Sequence, residues 1–257
     1  MSTEHEKQIP VERIKGNLTM EEAAARTLAI QGDLFYSIFY NFLKGDNYSG
    51  LVRVEFRLNH TKDIFMDYCG DSIDCLVING TEVADIGACR VGAKVKLDAC
   101  LLLEKGLNVV NIKFSNRYYN DGNGVMTFTD VDGSQYLYTQ SEPFWGNRVA
   151  PMFDQPDLKA KYRLQVAAPK EWTVIASMAH TYTTPWKQYV EDGYGSEFFQ
   201  LLRTSFGEIC GEDTFWQFPQ TEILSTYLLN VVCGPYSRVD LDVEKRHRGI
   251  PMAIYCR

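Results

Sequence analysis

The sequence predicts an all-β domain, an antiparallel sandwich or saddle with one short helix at its N-terminus. Three observations carry that expectation. Several short stretches alternate apolar and polar residues with period two. Gly, Asn and Asp turn signals separate them. A single helix-start signature precedes them all.

That signature comes first. Thr19 is followed three residues later by Glu22, the spacing of a capping box, and Glu21 and Glu22 suit the positive end of a helix dipole. The run from Glu21 to Ile30 is rich in alanine, the best helix former. The period then changes. In Leu51 to Leu58 the residues Val52, Val54, Phe56 and Leu58 alternate with Arg53, Glu55 and Arg57, a half-buried strand. Leu107 to Phe114 forms a second apolar stretch, and Tyr162, Leu164 and Val166 alternate with Arg163 and Gln165. Trp172 to Ala176 and Thr226 to Val232 read as further buried strands. Turns are expected at Lys44–Asn47, Asn79–Gly80, Asp121–Gly124 and Asp132–Gly133. Thr181 to Phe215 is less regular, with Trp186, Tyr189, Tyr194 and a short helical pattern at Glu197 to Arg203. It reads as a long insertion between strands.

Composition narrows the function. The chain has 257 residues, long enough for one large all-β domain or two small ones, and 45% hydrophobic and 13% aromatic residues fit a packed core. The net charge is −7, and the densest basic stretch is only Lys245-Arg246-His247-Arg248, so a nucleic-acid-binding face is not expected. No apolar run is long enough for a membrane-spanning helix. Met1 to Lys7 is polar and has no apolar core behind it, so no secretory signal is expected. Seven cysteines without a CxxC pair fit reduced thiols in a cytoplasmic protein.

Catalytic chemistry is sparse. The histidines His5, His60, His180 and His247 form no i, i+4 pair and no His-Glu-x-x-His helix, so no zinc site and no metal ligand are expected in this chain. There is no Gly-x-Ser-x-Gly elbow, and Asp121-Gly-Asn-Gly124 is turn chemistry without the lysine of a phosphate loop. Cys233, beside Val231 and Val232, reads as a buried hydrophobe. The segment from Tyr136 to Lys159 is different. It gathers Glu142, Arg148, Asp154 and several prolines in a stretch too irregular for plain sheet. On residue chemistry alone it reads as a polar corner, with Arg148 and Asp154 paired across a turn.

This segment, Tyr136-Leu-Tyr-Thr-Gln-Ser-Glu-Pro through Phe153-Asp-Gln-Pro-Asp-Leu-Lys159, closely resembles a signature of the aminopeptidase N and puromycin-sensitive zinc aminopeptidases. Further motifs follow in family order. Asn17-Leu-Thr with Arg26 resembles the opening helix, Tyr48-Ser-Gly50 a hairpin, Ala168-Pro-Lys-Glu-Trp172 the segment after the signature, and Gly234-Pro235 the last strands. The resemblance covers nearly the whole chain and implies the family's amino-terminal β-domain, with residues 31–257 as that domain behind a tail and helix at 1–30, and 181–215 as its insertion. Pro251 to Arg257 resembles the family's segment just before the catalytic domain, so a chain cut short of that domain is expected, with the zinc and its ligands beyond it. The resemblance further implies that Glu142 binds a substrate's free α-amine and that Gln140 lines the first side-chain pocket, provided a catalytic domain is joined. Arg148, Asp154 and Pro156 belong to the structural part of the signature. Asn147, Ala150 and Met152 depart from the usual family residues.

These readings lead to a non-catalytic aminopeptidase-like domain that serves as a structural or protein-interaction module in a larger assembly. The alternative is the substrate-binding part of an active zinc aminopeptidase. No cofactor is expected in the chain itself. The expected partners are other protein chains or a zinc-binding catalytic domain, with no nucleic acid and no membrane insertion. Phe144, Trp145, Trp186 and Tyr194 are the candidate interface aromatics.

Overall fold

The computed structural model describes residues 18–192, 196–207, 213–241 and 252–257. Helix α1 spans Met20–Ala29 and starts on the expected capping box. The Thr19 hydroxyl accepts the Glu22 N–H at 3.2 Å, and the Glu22 carboxylate accepts the Thr19 N–H at 3.1 Å, so two otherwise orphaned donors are satisfied. The helix buries only Arg26 and Ala29.

Strands β1 (Ile30–Phe42) and β2 (Asn47–Leu58) form the longest hairpin. Strands β3 (Phe65–Asp67), β4 (Ser72–Ile78) and β5 (Thr81–Glu82) follow, then the one-turn helix α2 (Ile86–Cys89), β6 (Arg90–Val91) and β7 (Lys94–Lys96). Next come β8 (Leu107–Arg117), β9 (Gly124–Thr129), β10 (Gln135–Gln140), β11 (Lys161–Ala168) and β12 (Thr173–Ala176). The chain continues through β13 (Tyr182–Pro185), α3 (Trp186–Asp192), α4 (Glu197–Phe206) and β14 (Thr214–Gln217). Strands β15 (Val231–Gly234), β16 (Ser237–Leu241) and β17 (Met252–Cys256) complete it.

An eight-stranded sheet, ordered β13-β14-β11-β1-β2-β8-β4-β5, faces a four-stranded sheet ordered β12-β15-β10-β9. The all-β sandwich is therefore as expected, with one departure from antiparallel pairing: β1 runs parallel to β11, with Tyr36 opposite Tyr162. The main core lies between the sheets. Tyr36, Val54, Ile112 and Tyr162 come from the large sheet and Val125, Leu137, Val174 and Cys233 from the small one, all almost fully buried. Cys233 packs as a small hydrophobe, and burial pushes its thiol well above the usual range.

The stretch 181–215 is more regular than its sequence suggests, and its expected helix from Glu197 is present. Its described residues form β13 and β14 at the edge of the large sheet and the helices α3 and α4 over its outer face. Phe198, Phe199, Leu202 and Phe206 of α4 pack with Trp186 onto Phe39, Leu51, Ala167 and Phe215. The spacing 198, 199, 202, 206 is one apolar helix face. Trp186, expected at an interface, is 1% exposed inside this cluster. Tyr194 lies outside the described residues. The stretch Thr226 to Val232 is also not one strand: Thr226–Leu228 is a 3-10 turn, and β15 begins only at Val231.

Candidate functional site

The signature segment leaves the small sheet at the end of β10 and runs as a clamped loop to β11. Gln140 ends β10, paired with Gly124 of β9, and is exposed. Ser141 is buried, and its carbonyl accepts the Trp145 N–H at 2.7 Å, which closes a tight turn over Glu142 to Phe144. The Glu142–Pro143 bond is cis, and Glu142 is exposed. Phe144 is 38% exposed and stacks on the half-buried Trp145, with 5.5 Å between ring centroids. A 3-10 turn, Gly146–Arg148, follows.

Polar groups under this turn hold it in place. The expected Arg148–Asp154 pair does not form. Arg148 is 3% exposed, and its guanidinium makes a fork to Asp121, at 2.9 and 3.2 Å, while lying 3.9 Å from the Tyr119 ring centroid. Asp154 instead accepts the Asn147 N–H at 2.9 Å and the Thr226 hydroxyl at 2.7 Å. The two side chains thus clamp the same loop through different partners. The Arg148 carbonyl accepts the Asn116 amide at 2.7 Å, and the Val149 carbonyl accepts the Tyr48 hydroxyl at 2.7 Å. Pro156 is exposed, with its carbonyl bound by the Ser225 hydroxyl at 2.7 Å.

Glycine is required at Gly124, the partner of Gln140. Its φ is +92°, and a Cβ there would sit 2.8 Å from the Tyr119 ring and 3.2 Å from the Arg148 Cβ.

A second layer ties the loop to α1. Arg26 donates to Asp67 at 2.6 Å and to the Gln155 side chain at 3.0 Å, and Asp67 also accepts the Asp154 N–H at 2.9 Å. Burial pushes the Asp67 carboxyl up to about 6, even though the Arg26 guanidinium opposes the shift. Burial likewise raises Asp154, against the Thr226 and Asn147 hydrogen bonds. Beside this layer lies a hollow of about 380 Å³, lined among others by Asp67, Cys69, Phe144, Trp145 and Asn147.

Sequence reading missed Asp67 and Asp121. Asp121 was assigned to a turn, and its partner Arg148 is 27 residues away. Arg26 was a usable signal, because an arginine on a short alanine-rich helix that buries only one other residue is there for a partner. Among the described residues, no three or more His, Cys, Asp or Glu are grouped so as to hold a metal ion. No helix among the described residues is long and apolar enough to cross a membrane.

The fold and this loop define a β-sandwich domain with an exposed Gln-x-Glu where the small sheet hands over to the signature loop. The sequence profile of the Peptidase M1 N-terminal domain matches residues 34–193, and the chain belongs to that family. It is 29% identical over 246 residues to the aminopeptidase N of Streptomyces lividans, a match that covers 94% of this chain and 25% of that protein. It is 23% identical to a probable aminopeptidase 1 of Sulfurisphaera tokodaii, over 82% of this chain and 22% of the relative. With the aminopeptidase N of Acetobacter pasteurianus it shares 26% identity over 76% of this chain and 48% of the relative. The chain thus spans between about a quarter and a half of the length of these relatives.

Proposed function

We propose that this domain grips the free amino end of a peptide and leaves hydrolysis to a zinc-bearing catalytic domain. The observation that carries this reading is the placement of Glu142. Its carboxylate is exposed on a loop whose neighbours are locked by Arg148, Asp154 and Tyr48. An ammonium group pairs well with such a carboxylate, and a rigid base limits the entropy lost on binding. Gln140, two residues earlier at the end of β10, is also exposed, and the family resemblance gives it the pocket for the first side chain. The relatives are named as aminopeptidases, which fits recognition of an amino terminus.

A second reading, a protein-interaction module within a larger assembly, draws on the stacked Phe144 and Trp145 next to Glu142. Aromatic side chains beside polar groups are enriched at interfaces. The two readings coexist if the partner is itself the catalytic domain.

The test is amide NMR of the chain with L-leucinamide, which has a free amine and no carboxylate. Residues 139–145 should shift with roughly millimolar affinity. Glu142→Gln and N-acetylation of the ligand should each abolish the shifts. Shifts that persist in Glu142→Gln, or no shifts at all, overturn the reading.

A further inference from the structure

We propose that the outer face of the eight-stranded sheet carries a second binding site, for a ligand with a carboxylate next to an N–H group, the chemistry shared by a free amino acid and a peptide's C-terminal residue. The site lies at the lower rim of the α3–α4 layer and is independent of the Glu142 reading. The two helices cover the apolar part of this face, over Phe39, Leu51, Ala167 and Phe215. Immediately beside that cover the face turns polar. A hollow of about 380 Å³ opens there, lined by Arg163, Gln165, Tyr182, Tyr189, Ser196 and Gln217.

The strand register explains why these residues meet. Tyr182 of β13 lies opposite Gln217 of β14, and Gln217 lies opposite Gln165 of β11. Three polar side chains therefore stand side by side across three strands. Arg163 is two residues from Gln165 on the same strand and so shares its face.

Two features of this hollow ask for a ligand. The first is a buried acceptor. Gln165 is 7% exposed; its amide nitrogen reaches the Gln217 carbonyl oxygen at only 3.5 Å, and its own Oε1 has no partner. A buried amide oxygen without a donor is unfavourable, and a ligand N–H would satisfy it. The second is a cation with no counterion among the described residues. Arg163 is exposed, lies 5.5 Å from the Phe35 ring centroid, and forms no ion pair among the described residues. The acids nearby, Glu55 and Glu197, are both held by Arg53, at 2.9 and 3.0 Å. A carboxylate is the natural partner of a free guanidinium, which can grip it with two parallel bonds.

The rest of the hollow fits the same ligand. Ser196 caps α4, with its oxygen accepting the Phe199 N–H at 3.1 Å, so its hydroxyl hydrogen is left to point at an incoming oxygen. Tyr189, stacked on Phe215 with 3.6 Å between ring centroids, anchors the helix layer beside the hollow it lines.

The experiment follows the amides of β11 and β14 by NMR in the whole chain. N-acetyl-L-leucine is the main probe, because it has the carboxylate and the N–H but lacks the free amine that Glu142 requires. It should shift these amides, whereas L-leucinamide, without a carboxylate, should not. Arg163→Gln should weaken binding at least tenfold. Arg163→Lys should fall between that variant and the native chain. Gln165→Met, which keeps the volume and removes the acceptor, should weaken binding severalfold, and Glu142→Gln should leave it unchanged. L-leucine binding at least as tightly as the acetylated form would identify a free amino acid as the ligand; weaker binding would identify a peptide C-terminus. Unchanged affinity in Arg163→Gln, equal binding of bare acetate, or no shift with N-acetyl-L-leucine would overturn the proposal.

Discussion

Arg148 is the clearest point at which to test how the signature loop is held. Consider Arg148→Ala. The side chain is 3% exposed, so truncation removes three contributions. The first is the fork to Asp121. Because the Asp121 side chain is 53% exposed and can return to water, that fork is worth only about 1 kcal/mol. The second is the guanidinium lying 3.9 Å from the centroid of the buried Tyr119 ring, about 1–2 kcal/mol in a desolvated setting. The third is the packing of the aliphatic stem, about 1 kcal/mol. Together they predict a loss of about 3 kcal/mol, a fall in Tm of roughly 6–12 °C for a chain of this size. Denaturant titration and calorimetry of Arg148→Ala, Asp121→Asn and the double variant form the cycle. The coupling between Arg148 and Asp121 should be about 1 kcal/mol, and that between Arg148 and Asp154 should be smaller. A single-variant cost below about 0.5 kcal/mol, or a larger coupling to Asp154, would refute this account of the loop.

Two further outcomes concern stability alone. The folded Asp67 carboxyl titrates at about 6, above the unfolded value of about 3.9, so its contribution is complete below pH ~4 and is lost as pH rises through about 6. Relative to Asp67→Asn, the native chain should therefore gain up to about 3 kcal/mol of stability between pH 7.5 and pH 4, and parallel pH profiles for the two would refute this. Gly50→Ala should cost about 1–3 kcal/mol by chemical denaturation, because the new Cβ would lie 2.5 Å from the Phe114 ring and 2.7 Å from the Phe39 carbonyl oxygen, a backbone atom that cannot move aside; a neutral result would mean the two strands are less closely packed than described.

The legible parts of the fold were those governed by short-range rules. The Thr19–Glu22 box lies within four residues, and the alternation of Val52, Val54, Phe56 and Leu58 reflects a strand with one fully buried face. Strand β1 left no such trace. Both of its faces are covered, by Tyr36, Ile38 and Tyr40 in the main core and by Phe39 under the helices, so large apolar residues fall on both faces and no period-two alternation shows. Thr226 to Val232 departs from expectation for the opposite reason: a mostly apolar stretch there folds partly as a 3-10 turn before Asn230. At the site, Gln140 and Glu142 are singled out by resemblance alone, and the partners of Arg148 and Asp154 could not be read from the sequence at all. Opposite charges six residues apart look like a pair, yet the loop sends Arg148 to Asp121 and Asp154 to Thr226, 72 residues downstream. The Arg163–Gln165 hollow was invisible because it depends on which strands become neighbours.

The parallel pairing of β1 with β11 also bears on how the chain is made. Strand β1 leaves the ribosome with β2 as its partner on one side, but the strand that covers its other edge begins at Lys161. Until those residues emerge, the edge of Phe35 to Asn41 has free backbone donors and acceptors and a run of large apolar side chains, the kind of edge that recruits other chains. Any product that ends before Lys161 should therefore accumulate as aggregate, and synthesis on the ribosome should leave the nascent chain dependent on chaperones until Lys161–Ala168 has emerged.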